Sequence, residues 1–247
     1  MKTLRWWCAV KRMTGKYLAF DIETAKVQSA DEGDWKAYRP LGISCAAALT
    51  AESGEAVLWH GVTKSSRPAR RMSQQEVAEV VEYLANQVRH GYTIVTWNGV
   101  GFDFDVLAEE SGLLDECRTL ARGHVDMMFH VVCQLGFGVS LDSAAMGMGI
   151  SGKHKGLSGA VIPRLWAEGK HQEVLDYVAQ DVRMTLELAK TCEACGRFRW
   201  VTRSGSRREM PLPKSWLSVK SAAKLPEPNT SWMSNQWSRT AFTAWML

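Results

Sequence analysis

The sequence lacks the uninterrupted apolar run of roughly 18–20 residues that a helix needs to span a bilayer, so we expect no membrane-spanning segment. Lysine and arginine interrupt residues 1–16, and we expect no apolar core of a secretory leader there. Of the six cysteines, only Cys192 and Cys195 are close in sequence. Cysteines scattered in this way are typical of reduced thiols. One close pair supplies only two of the four ligands of a structural zinc site. These absences together predict a cytoplasmic globular protein.

Charge is distributed unevenly, although the net charge is only +4. Residues 1–191 carry 21 basic and 23 acidic side chains, whereas residues 192–247 carry nine and three, together with five of the eleven tryptophans. This predicts a body over 1–191 and a basic, Trp-rich extension over 192–247, in which alternation around Ser204-Gly205 indicates a hairpin. Arginines interleaved with aromatics favour an anionic partner such as nucleic acid. The alternative is a solvated hairpin that packs on the body through its aromatics.

Four further tryptophans of the extension have neither a helical nor a strand period. We expect them to act as apolar anchors that pack an irregular segment onto the body. They are Trp216, Trp232, Trp237 and Trp245.

Hydrophobic periodicity predicts an α/β fold. Short apolar runs bounded by turn residues indicate strands, and apolar positions three to four apart indicate helices. The predicted strands are Tyr17–Ile22, Gly42–Leu49, Glu55–His60 and Tyr92–Trp97. The predicted helices are 73–90, one that begins near Phe102, one around 125–133, a short one after Ser140 and a long one over 172–191. Their order is typical of a mixed sheet, antiparallel at first and parallel where a helix crosses over.

Acidic residues occur at three places where chemistry is possible. Asp21 and Glu23 are two apart at the end of an apolar strand, so both carboxylates project from one face. Such neighbouring carboxylates repel one another unless a cation binds between them, and a hard divalent ion is the simplest ligand that removes this repulsion. Asp103 lies in the first turn of a helix, and Tyr177 and Asp181 share a face of another. Taken singly, each has an ordinary explanation: exposed strand-end acids, a helix-dipole contact or a polar stripe.

Three motifs stand in a fixed order: Phe20–Thr24 (FDIET), Asn98–Asp103 (NGVGFD) and Tyr177–Asp181 (YVAQD). With them the sequence resembles the DEDD superfamily of 3′–5′ exonucleases, which have a ribonuclease H-like fold. The tyrosine of the third motif resembles the tyrosine subclass. The second motif is similar to that of the exonuclease domain of family-B DNA polymerases and its stand-alone bacterial relatives. The resemblance covers roughly residues 17–191 and implies a mixed sheet flanked by helices.

The resemblance also implies catalytic roles. Asp21, Glu23, Asp103 and Asp181 would hold two divalent cations, Mg²⁺ or Mn²⁺, about 3.5–4 Å apart. Tyr177 would orient the attacking water by a hydrogen bond.

Substrate contacts follow from the same resemblance. Asn98 and the backbone near Thr24 would contact the terminal nucleotide. Phe102 would stack on a base, or else belong to the core. Lys153 and Lys155 lie between the second and third motifs and are expected near the substrate; a solvated basic loop is the alternative.

One position departs from the family pattern. Asp105 follows Asp103 by two residues, where polymerase relatives often have proline. Positions i and i+2 of a helix are about 200° apart, so both acids cannot face one metal pair, and we predict that Asp103 is the ligand. Asp126 is predicted to support the site or cap a helix, with a purely structural role as the alternative.

The function predicted from the sequence is metal-dependent 3′–5′ exonuclease activity on single-stranded or frayed 3′ ends, with DNA favoured. No residue of the motifs is expected to recognise a 2′-hydroxyl, so exoribonuclease activity is the alternative. A non-catalytic nucleic-acid-binding subunit that uses the basic extension is an alternative from another class. The four clustered acids argue against it.

Overall fold

The computed structural model describes residues 15–27, 35–151, 159–234 and 236–247. Its strands are β1 (Tyr17–Thr24), β2 (Ile43–Thr50), β3 (Val57–His60), β4 (Thr93–Thr96), β5 (Val125–Asp126), β6 (Arg197–Val201) and β7 (Arg207–Pro211). Its α-helices are α1 (Gln74–Arg89), α2 (Asp103–Ser111), α3 (Leu114–Gly123), α4 (Met127–Leu135), α5 (Leu141–Met148), α6 (Ile162–Ala167), α7 (His171–Cys195), α8 (Val219–Ala222) and α9 (Arg239–Thr243). Short 3-10 helices cover Trp35–Tyr38 and Ala244–Met246. In the part of the chain so described, no helix is both long and apolar enough to cross a bilayer.

A five-stranded sheet with the order β3-β2-β1-β4-β5 lies at the centre of the fold. Strands β1, β2 and β3 pair antiparallel, whereas β4 is parallel to β1 and β5 is parallel to β4. Helix α1 connects β3 to β4, and α2 and α3 connect β4 to β5, as parallel pairing requires. The predicted mixed α/β sheet flanked by helices is confirmed.

Strand β1 places its residues alternately on the two faces of the sheet. Even-numbered residues such as Phe20 belong to a hydrophobic cluster with α1 and α2. Odd-numbered residues such as Ala19 belong to a second cluster with α7. Asp21 and Glu23 continue the odd-numbered series, so the acidic end of β1 lies on the α7 side.

The predicted helix around residues 125–133 begins later than expected. Val125 pairs with β4 as part of β5, and Asp126 accepts the N–H of Phe129 at 2.9 Å as the N-cap of α4. A capping residue has non-helical backbone angles, so the helix proper starts at Met127. The last helix of the body also runs beyond its predicted end, to Cys195.

The extension contains the predicted hairpin, formed by β6 and β7. Phe198 and Trp200 stack on each other with centroids 5.5 Å apart and belong to the same hydrophobic cluster as α7. Of the four further tryptophans, Trp216 is buried, as a packing anchor should be, whereas Trp232 and Trp237 are 71% and 47% exposed. The division of the chain into 1–191 and 192–247 stays a prediction.

Gly147 lies where α5 meets β6. A Cβ at this position would overlap the backbone of Arg199 and Trp200, which cannot yield as a flexible side chain would. We expect Gly147→Ala to lower the free energy of unfolding by about 1–3 kcal/mol, measured by urea denaturation. The matched control is Gly123→Ala, where a Cβ would meet nothing within 4 Å. Equal stability of the two variants would contradict the close packing of the hairpin on α5.

Candidate active site

Three acidic side chains converge at the carboxyl end of β1. Asp21 and Glu23 extend from the strand and Asp181 from α7, and each offers a carboxylate oxygen within 4.8 Å of the other two. Glu23 and Asp181 are buried, and Asp21 is half-buried. Carboxylates this close repel one another in a poorly solvated site, and their oxygens suit a hard divalent cation.

Asp103, the fourth predicted acid, adjoins this cluster from the start of α2. Its carboxylate accepts the Ile22 N–H at 3.1 Å, and its side chain forms a hydrogen bond with that of Asp21. Burial, together with the charge of Asp126, raises the pKa of Asp103 to about 7. Asp103 thus adds a fourth carboxyl group to the acidic end of β1.

Asp105 lies apart from the cluster, in an ion pair with Arg39. The guanidinium of Arg39 lies over the ring of Trp35, 4.9 Å from its centroid. Trp35 in turn meets Phe102 edge-on, with ring centroids 4.9 Å apart. Phe102 is therefore held in a half-buried group beside the site, and its contact with a base stays a prediction.

Tyr177 precedes Asp181 by one turn of α7. Its side chain is 1% exposed and belongs to the hydrophobic cluster on the α7 side of the sheet. Thr185, one turn beyond Asp181, is also buried. The helix thus carries these three side chains on one face, as their spacing of four requires. The role of Tyr177 in orienting a water molecule stays a prediction.

Asp126 organises the loop that follows β4. Its two carboxylate oxygens accept the N–H groups of Asn98 and Val100 at 3.0 and 2.9 Å, in addition to that of Phe129. Burial raises the pKa of Asp126 to about 6. Asn98 has a φ of 74° in this loop, and its side-chain oxygen is buried without a hydrogen-bond partner among the described residues. Asp126 therefore caps α4 and supports the loop that carries Asn98.

A second set of hydrogen bonds holds the same loop. Thr96 Oγ1 accepts the N–H of Gly99 at 3.1 Å and lies 3.0 Å from Nε2 of His124. Nδ1 of His124 lies 2.8 Å from the carbonyl oxygen of Ala121. A neutral ring with its proton on Nδ1 satisfies all three contacts, because Thr96 can then donate to Nε2.

The buried ring of His124 makes stability depend on pH. Burial lowers its pKa from 6.5 to about 4. As the pH falls from 6.5 to 4, the unfolded chain takes up a proton that the folded protein does not bind, so the free energy of unfolding decreases, by about 3 kcal/mol at pH 4. We expect His124→Gln to remove this part of the slope, measured by urea denaturation between pH 4 and 7. An unchanged slope would show that His124 is not buried in its neutral form.

A cleft of about 500 Å³ opens onto the acidic cluster. Its lining includes Asp21, Asp181 and Asn98, and the C-terminal extension contributes Arg203 and Trp237. In the sequence, Arg203 is one of several hairpin arginines and Trp237 is one of four expected packing anchors. No local pattern therefore marks either of them as a site residue, and only the basic, Trp-rich composition of the extension points to them.

The remaining predicted substrate contacts are Thr24, Phe102, Lys153 and Lys155. Thr24 is 6% exposed and follows an irregularity in the pairing of β1 with β2. Within the described part of the chain, neither Thr24 nor Phe102 is among the residues that line the cleft. Lys153 and Lys155 lie outside the described residues. The substrate contacts of all four stay predictions.

A central mixed sheet, with acids at the end of its first strand opposite an acid on the long C-terminal helix of the body, defines an α/β protein with a ribonuclease H-like fold. Residues 51–192, more than half of the chain, match the family RNase_H_2 of the RNase_H superfamily, so the chain belongs to the RNase H superfamily. The matched segment contains Asp103 and Asp181, whereas Asp21 and Glu23 precede it.

The fold is also similar to a solved structure, the family B DNA polymerase from the hyperthermophilic archaeon Pyrobaculum calidifontis. The two chains are 19% identical with a TM-score of 0.52, over 85% of this chain and 28% of the polymerase chain. The chain thus spans less than a third of the polymerase, and at this identity the similarity concerns the fold alone. No curated protein matches the sequence.

Proposed function

We propose that the protein is a metal-dependent 3′–5′ exonuclease of the DEDD superfamily, tyrosine subclass, that acts on single-stranded or frayed 3′ ends of DNA. The observation that carries this proposal is the convergence of Asp21, Glu23 and Asp181, with Asp103 hydrogen-bonded to Asp21. Clustered carboxylates at buried positions cost stability without a cation. A function that uses bound cations accounts for their position.

The four acids would hold two divalent cations, Mg²⁺ or Mn²⁺. When bound, such ions activate a water molecule and stabilise the oxygen that leaves a phosphodiester. The four carboxylates would balance the charge of the two ions, so the loaded site would not repel an anionic phosphodiester.

Other residues of the chain would position the reactants. The hydroxyl of Tyr177, one turn from Asp181, would hold the attacking water by a hydrogen bond. The buried side-chain oxygen of Asn98 would accept a hydrogen bond from the hydroxyl of the terminal nucleotide.

Incubation of a 5′-labelled single-stranded DNA oligonucleotide with the protein and Mg²⁺ or Mn²⁺ tests the proposal. We expect a ladder of shortening products, which EDTA abolishes and a 3′-terminal phosphorothioate linkage slows. The same sequence as RNA runs in parallel, and faster loss of RNA would identify an exoribonuclease instead. Binding without turnover of either strand, with both metals present, would overturn the enzymatic proposal in favour of a non-catalytic binding subunit.

A further inference from the structure

The basic extension reaches the candidate active site at two points. Arg203, in the turn between β6 and β7, and Trp237, in the segment before α9, both line the cleft that contains Asp21 and Asp181. We refer to Arg203 and Trp237 as the extension wall. Both are exposed, so burial in a core does not explain their position.

Trp237 is held in place although nearly half of it is exposed. Its ring lies so close to Gly138 that a Cβ there would overlap it. Its backbone N–H donates to the carbonyl oxygen of Gly136 at 3.3 Å, and its ring stacks on Phe242 with centroids 6.0 Å apart and planes at 27°. An immobilised indole with exposed surface in a polar cleft has the properties of a platform on which a base stacks.

The segment that carries Trp237 is also attached to the loop that carries the second motif. Trp245 Nε1 donates to the carbonyl oxygen of Val100 at 2.7 Å. Gly101 leaves space for Phe242, because a Cβ at position 101 would lie 2.7 Å from that ring. The position of Trp237 relative to the acidic cluster is therefore fixed by packing on the site itself.

Arg203 is one of the hairpin arginines without an ion pair. Arg197 and Arg199 both pair with Glu209, whereas Arg203, Arg207 and Arg208 form no ion pair with any described residue. Of these three, Arg203 is the one that lines the cleft with Asp21 and Asp181. Its guanidinium is exposed on the cleft that carries the acidic cluster. An exposed guanidinium without a carboxylate partner suits a phosphate oxygen, which it can bind in bidentate fashion.

A second cleft, of about 320 Å³, continues from the first along the hairpin. Its further lining includes Trp200 and Thr202 of the hairpin region and Ser143 of α5. The two clefts share Gly138, Val139, Ser140 and Arg203. Arg203 therefore borders both clefts.

We propose that the extension wall is the binding subsite for the nucleotides that precede the 3′ end: Trp237 stacks on a base and Arg203 binds the adjoining phosphate. The strand then continues into the second cleft. This inference rests on the proposed exonuclease function and specifies its substrate as a single strand of several nucleotides. A paired base already stacks within its duplex and presents no free face to an indole, so the subsite selects unpaired strands.

Two substrates of different length test the subsite. Thymidine 5′-monophosphate p-nitrophenyl ester occupies only the catalytic position, whereas an oligothymidylate decamer also reaches the extension wall. We expect Trp237→Ala and Arg203→Ala each to raise KM for the decamer about tenfold and to leave kcat/KM for the ester unchanged. The matched controls are Trp232→Ala and Arg208→Ala, which remove an exposed tryptophan and an exposed hairpin arginine that line neither cleft. Both controls should behave as wild type.

The variant Trp237→Phe distinguishes loss of the subsite from a change of fold. It retains an aromatic ring and should keep most of the wild-type affinity for the decamer. Decamer binding, followed by fluorescence anisotropy in the Asp181→Asn background, should weaken in parallel with the rise in KM. If Trp237→Ala and Arg203→Ala hydrolysed both substrates as the wild type does, with unchanged KM, the subsite alone would be overturned. Failure of the wild type to hydrolyse either substrate would overturn the proposed function, and the subsite with it.

Discussion

Asp181→Asn will lower the rate of 3′ degradation by about a thousandfold or more. The substitution keeps the size of the side chain and removes one charge from the group of three oxygens that lie within 4.8 Å of one another. Bound cations supply several kcal/mol of charge stabilisation in phosphodiester hydrolysis, and about 4 kcal/mol corresponds to this factor. The measurement is the initial rate of shortening of a 5′-labelled single-stranded DNA oligonucleotide at saturating Mn²⁺.

Stability should change in the opposite direction. Without metal, Asp181→Asn should melt at the same temperature as the wild type or higher, because one of three repelling carboxylates becomes neutral. Mn²⁺ should raise the Tm of the wild type, since a ligand that binds only the folded state stabilises it, and should do so much less for the variant. The matched control is Asp176→Asn, an exposed acid on the same helix. Full activity of Asp181→Asn, or an equal loss in Asp176→Asn, would contradict the proposed metal site.

Asp126→Ala will produce the second large effect, first on stability and through it on activity. The carboxylate of Asp126 accepts three backbone N–H groups, those of Asn98, Val100 and Phe129. Removing it leaves these donors without their partner, at a cost of about 3 kcal/mol or more. The loop that presents Asn98 also loses its support, so turnover should fall well before the protein unfolds. Urea denaturation and the oligonucleotide assay measure the two effects.

Asp115→Ala is the control for this variant. Asp115 is also an acid at the start of a helix, but its side chain is 89% exposed and its ion pair among the described residues is with Arg118. Exposed ion pairs contribute at most about 1 kcal/mol, so this variant should remain close to wild type in stability and activity. If Asp126→Ala proved as stable as Asp115→Ala, the buried hydrogen bonds could not be what holds the loop.

The acidic end of β1 was predictable because its pattern is local. A strand with period two, ending in Asp21 and Glu23, places both carboxylates on one face whatever surrounds it. The same holds for Tyr177 and Asp181, four apart on α7, and for the separation of Asp103 from Asp105. The start of α4 was not predictable from periodicity, because the capping contact of Asp126 and the pairing of Val125 with β4 decide it.

The sequence by itself determined the class of fold, most of its strands and helices and the acids that stand at element ends, since hydrophobic alternation and turn residues act over a few neighbouring positions. Only the tertiary structure decided that Arg203 and Trp237 line the cleft with Asp181. Trp237 lies more than fifty residues beyond Asp181, and no periodicity relates them. Their proximity results from packing between distant segments, of the Trp237 ring on Gly138 and of Phe242 on the loop after β4.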